Sequence, residues 1–180
     1  MTSLLLMLLM VTQPAAKATV SPAPALTDAD VRARIETYLD SFERATPDAQ
    51  WLALGPQAEP VLLEILNGTG LPTRRAKAVA GLVALAGVNT PALLSSLSLD
   101  ETKPLSVRLA AVHGLSRLTP DVLLVAKLRP VVEGAQDARV SSIAADVLVK
   151  RVPSSACGLV RARGATDDHF KSAITTCAGR

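Results

Sequence analysis

Residues 78–85 read AVAGLVAL, residues 111–118 read AVHGLSRL, and residues 144–151 read AADVLVKR. The first two share an Ala-Val-x-Gly-Leu-x-x-Leu pattern: Ala78, Val79, Gly81, Leu82 and Leu85 return as Ala111, Val112, Gly114, Leu115 and Leu118. The third is fainter and keeps Ala144, Ala145, Val147 and Leu148. The spacing is 33 residues each time. A fixed period of that size marks a stack of supersecondary units rather than one irregular core. Gly inside a helix costs about 1 kcal/mol relative to Ala. Its reuse at one repeat position, Gly81 and Gly114, therefore points to the close approach of a neighbouring helix.

Outward from these segments the chain reads as helical hairpins. Pro60-Val61-Leu62-Leu63-x-Ile65-Leu66 predicts a helix closed by Asn67-Gly68, and its partner runs from about Pro72 to Ala86. The next hairpin opens at Thr90-Pro91, with Leu93-Leu94, and the third at Thr119-Pro120, with Leu123-Leu124. Pro at a helix start and Gly past its end are the expected asymmetry. A degenerate fourth hairpin is expected from about Pro153 to Ala178. Before the hairpins, Thr27 caps a helix with Asp30 three residues on, as in a capping box. Val31, Ile35, Leu39 and Phe42 form its apolar face, and Asp28–Arg32, Asp30–Arg34 and Asp40–Arg44 are i,i+4 pairs of opposite charge. A short helix follows from Thr46-Pro47 through Trp51, Leu52 and Leu54, ended by Gly55.

The second helices and the Pro-x-Leu-Leu helices before them resemble the HEAT-repeat family. The residues that carry the resemblance are Val107-Arg108-x-x-Ala111-x-x-Gly114-Leu115-x-x-Leu118 and its counterpart Arg75-x-x-Ala78-x-x-Gly81-Leu82-x-x-Leu85. The likeness covers roughly residues 56–151. Ser141 stands where Arg108 would recur and Arg151 where Leu118 would, so the third unit departs from the pattern. The resemblance implies an all-α fold: a right-handed α-α superhelix of about four HEAT-like helical hairpins with an N-terminal capping helix. It also implies a scaffold or adaptor that binds another protein through its concave face. A HEAT-like lyase or enzyme accessory protein, and a structural envelope component, are the alternatives.

The expected organisation is a signal peptide over 1–18, a Pro/Ala-rich linker over 19–26 and the repeat domain over 27–180. Leu4 to Val11 are uninterruptedly apolar, and Ala16-Lys17-Ala18 fits an A-x-A cleavage site. Met1-Thr2-Ser3 lacks the usual Lys or Arg. Eight apolar residues are too few to span a bilayer, so no stable membrane insertion is expected once the signal is cleaved. Export places the mature chain in the periplasm or outside the cell. In such an oxidising compartment Cys157 and Cys177 suggest one disulfide. A helical turn at Arg163 to Ala165 would set the two at unequal distances from it, and the alternative is a pair of small buried hydrophobes.

The chain has 180 residues and only 2% aromatic content. Its formal charge of +3 is weakly basic. Low charge and few stacking aromatics argue against nucleic-acid binding. There is no catalytic constellation: no nucleophile elbow, no phosphate-binding Gly loop. His113 and His169 stand apart from ligand-spaced neighbours, so neither a metal nor a cofactor is expected. Asp167-Asp168-His169 opens the last helix, where acidic residues complement the helix dipole. The lone Trp51 reads as core, with an exposed anchor as the alternative. The outward positions of the second helices, spaced i, i+4, i+7, give the candidate binding strip. It reads Thr73, Lys77, Ala80 and Ala84, then Ser106, Ala110, His113 and Arg117, then Arg139, Ile143, Asp146 and Lys150. Lys77, His113, Arg117, Arg139 and Lys150, with Asp146 among them, would form a mildly basic surface for an acidic protein segment or an anionic polymer; the alternative is an ordinary solvated helix face.

Overall fold

A computed structural model describes residues 26–41, 45–165 and 167–179. The expected signal peptide, all of the linker but Leu26, and Phe42 and Arg44 lie outside the described residues. Among the described residues the protein is all-α, with ten α-helices, one 3₁₀ turn and no strand. The helices are α1 (Asp28–Asp40), α2 (Asp48–Leu52), α3 (Ala58–Asn67), α4 (Pro72–Leu85) and α5 (Thr90–Leu99). They continue with α6 (Leu105–Leu118), α7 (Asp121–Gly134), α8 (Ala138–Arg151), α9 (Pro153–Gly164) and α10 (Lys171–Ala178).

Local chemistry sets these bounds. Thr27 and Asp30 form a reciprocal capping box at the start of α1, satisfying two amides that the helix leaves without partners. α4, α5 and α9 carry Pro in their first turn, where the missing N–H costs nothing. Gly55 ends the short α2 segment with φ of 75°, a conformation that strains any residue with a Cβ. Asp137 caps α8 by accepting from the Arg139 amide. Pro130 sits inside α7 on its exposed side.

Consecutive helices pack as pairs: α3 on α4, α5 on α6, α7 on α8 and α9 on α10. The second members also pack on one another in order, α4 on α6, α6 on α8 and α8 on α10, and the short α2 packs on α4. One continuous core results, running from Val31, Ile35 and Leu39 to Ala173 and Cys177. Trp51 is part of it, 2% exposed, with Tyr38 edge-on at 5.2 Å.

The two repeat glycines sit where the helices come closest. A Cβ on Gly81 would stand 3.0 Å from Leu62 Cδ1 of α3 and 3.1 Å from Trp51 Cε3 of α2. A Cβ on Gly114 would stand 2.5 Å from Val83 Cγ2 of α4 and 2.9 Å from Leu94 Cδ1 of α5. The same position thus accepts the preceding pair of helices in both units.

Polar side chains link the units as well. Arg32 of α1 binds Glu64 of α3 at 2.5 Å, not Asp28. Asp40 is held by Arg74 of α4, which also holds Glu36. The local i,i+4 pairing expected for Asp28 and Arg32 is therefore replaced by pairing between helices. Arg151, where the repeat would place Leu, reaches back to the Thr119 carbonyl at 3.3 Å and to Asp121. Arg108 is 3% exposed and is held on both terminal guanidinium nitrogens, Nη1 and Nη2, by Glu101 at 2.5 Å. Glu101 also accepts from the Gln136 amide at 3.0 Å. In the third unit Ser141 turns instead to the Ala138 carbonyl of its own helix.

Cys157 and Cys177 form a disulfide with a Cα separation of 5.6 Å. α9 ends at Gly164, inside the expected turn at Arg163 to Ala165, but the connection does not stop there. After Gly164 comes an irregular stretch and a 3₁₀ turn, Asp168–Phe170. This longer connection puts the two cysteines at nearly equal distances from it. Asp167 caps this 3₁₀ turn, accepting from the His169 amide, so Asp167, Asp168 and His169 precede α10 rather than forming its first turn.

Candidate functional site

The outward positions of α4 and α6 border an open hollow of about 240 Å³. Ala80 and Val83 of α4 and Ala110, His113, Gly114 and Arg117 of α6 line it. Its walls are small and apolar, made by Ala80, Val83, Ala110 and Gly114. Two polar groups stand on it. His113 is exposed and, among the described residues, makes no hydrogen bond or ion pair. Arg117 donates from Nη1 and Nη2 of its guanidinium to Asp48 of α2, at 3.4 and 2.5 Å.

The remaining strip residues are distributed elsewhere. Lys77 is half-buried near the end of α1, donating to the Leu39 carbonyl at 2.9 Å and also to that of Ser41. It borders a different hollow, of about 280 Å³, with Leu39, Asp40, Leu71, Thr73 and Arg74. Arg139 lies over the start of its own helix, paired with Asp137 at 2.7 Å. The Arg139 contacts draw the Asp137 carboxyl from its ordinary value of 3.8 to about 2. Asp146 and Lys150 lie on α8 and, among the described residues, have no hydrogen bond or ion pair. None of the α8 residues lines the hollow beside His113.

Of the six, His113 and Arg117 line one hollow together among the described residues. Lys77, Arg117 and Arg139 have partners within the chain, so the surface carries less free positive charge than the sequence spacing implies. The partner that sequence reasoning missed is Asp48, 69 residues from Arg117. No local pattern links positions so far apart. Asp137 did carry a signal, an Asp immediately before a helix.

Among the described residues no group of three or more His, Cys, Asp or Glu could hold a metal ion, and no helix is long and apolar enough to cross a membrane. In comparisons with known proteins, no family model, no curated protein and no solved structure matches the chain.

Proposed function

We propose that this chain is an exported, non-enzymatic HEAT-like repeat protein that binds another protein through the outward face of its second helices. On this reading the paired helices form a right-handed superhelix with α1 as its cap, and α4, α6 and α8 line the concave side. The observation that carries it is the hollow between α4 and α6, apolar at its base and bordered by His113 and Arg117. Convergent polar groups over a small apolar recess suit the anchoring of a partner's side chain. The 33-residue repeat supports the architecture, and the disulfide accords with an oxidising compartment.

The test is affinity capture of the mature chain, residues 19–180, from its host's envelope fraction, beside a His113→Glu/Lys150→Glu variant. A protein retained by the native chain and lost by the variant is the expected result. Equal capture by both would refute binding through this face.

A further inference from the structure

Arg117 is already occupied by a carboxylate. Asp48 reaches it from α2, and the two side chains are 52% and 51% exposed. An exposed ion pair of this kind adds little stability and exchanges readily. The bridge stands beside the hollow, so a group that took Arg117 would have the apolar recess next to it. The recess, at about 240 Å³, is smaller than the roughly 300–1,000 Å³ of sites for whole small molecules. It suits one side chain. His113 on the same rim offers a further, unengaged ring nitrogen.

We infer that Asp48 stands in for a partner's carboxylate: a protein segment bearing Asp or Glu beside one large aliphatic or aromatic side chain displaces Asp48 from Arg117 and seats that side chain in the hollow. This rests on the reading of the face as a binding surface, and it adds the partner's chemistry and a built-in competitor. The guanidinium fork favours a carboxylate, which it can grip with two parallel hydrogen bonds. Walls made by Ala80, Val83, Ala110 and Gly114 favour hydrocarbon over polar groups. Because the internal pair must open first, apparent affinity is lowered by the fraction of molecules in which Arg117 is free.

Panning a library of random short peptides against the mature protein tests this. Enriched peptides are expected to place Asp or Glu within a few positions of Leu, Ile, Met or Phe. A synthetic peptide of the enriched sequence should bind Asp48→Ala about fivefold more tightly than the native chain, equivalent to ~1 kcal/mol. It should bind Arg117→Ala at least tenfold more weakly. Ala110→Leu, which fills the recess and leaves the ion pair intact, should also weaken it, with far-UV circular dichroism confirming native helicity in every variant. Enriched peptides without an acidic residue, unchanged binding to Asp48→Ala, or no enrichment at all would overturn the inference. Peptides that ignore Asp48 and Arg117 yet are lost in the His113→Glu/Lys150→Glu variant would overturn the displacement while supporting the binding face.

Discussion

Gly114→Ala adds a single methyl group to α6, and the surroundings determine its sign. The new Cβ would lie 2.5 Å from Val83 Cγ2 and 2.9 Å from Leu94 Cδ1. Leu94 can swing a methyl aside. Val83 cannot, because its branched Cβ holds one rotamer in a helix and it is itself buried, 3% exposed. Relief therefore has to come from separating α4 and α6. Overpacking of this kind costs about 1–3 kcal/mol, and a contact this short belongs in the upper half of that range. The gain in helix propensity returns about 1 kcal/mol, leaving a net loss of about 1–2 kcal/mol. Gly158→Ala is the control. It makes the same change inside α9, where a Cβ meets no atom within 4 Å, and should stabilise by roughly 1 kcal/mol. Urea unfolding followed by far-UV circular dichroism measures both. In a Val83→Ala background the cost of Gly114→Ala should fall toward zero, since the clash and its relief are coupled. A Gly114→Ala protein as stable as the native chain, or an undiminished cost in the Val83→Ala background, would refute the packing explanation.

Three other outcomes follow from the same structure. Glu101→Ala leaves the buried Arg108 guanidinium unpaired and should cost about 3 kcal/mol, whereas Arg108→Met should cost much less, because it removes the buried charge instead of stranding it; urea midpoints compare the two. Asp137 titrates at about 2 when folded, below its ordinary 3.8. Its stabilising contribution is thus complete above about pH 4 and lost as pH falls toward 2. Asp137→Asn, which keeps a capping oxygen, should flatten stability over that window in acid titrations of thermal unfolding. Cys177→Ser opens a loop with a sequence separation of 20, for which chain entropy gives about 3 kcal/mol; thermal unfolding under non-reducing conditions should show the loss, and added reductant should no longer affect the variant.

The helices were legible in the sequence because their punctuation is local. Thr27 with Asp30, Pro72, Thr90-Pro91 and Gly68 each act within a few residues, and a reader of the chain meets cause and effect together. The repeat was legible for a related reason, since the same contact recurs at Gly81 and Gly114. What the sequence concealed were partners chosen by packing. Arg32 has Asp28 within reach on its own helix but meets Glu64 when α1 lies against α3. Arg117 looks like free surface charge until α2 brings Asp48 to it. The disulfide hinged on where α9 stops, and the 3₁₀ turn after it has no strong composition signal beyond Asp167. Of the candidate strip, Ala80, Ala110, His113 and Arg117 border one hollow. The spacing did not reveal that Lys77 is drawn toward the end of α1, because the acceptors there are backbone carbonyls, which every residue possesses.

The disulfide gives the molecule a direction. Each helix packs chiefly on helices one or two places along the chain, so opening is expected to start at an extremity and spread inward. At one extremity Cys157 and Cys177 rivet α9 to α10. At the other, α1 is held to α3 and α4 by packing and ion pairs, and the α2 that follows it has only five residues. The chain therefore has a sealed end and a yielding one. Heat, denaturant or a protease should peel it from α1 toward α10, and the fragments that outlast brief digestion should be those that retain the bridge.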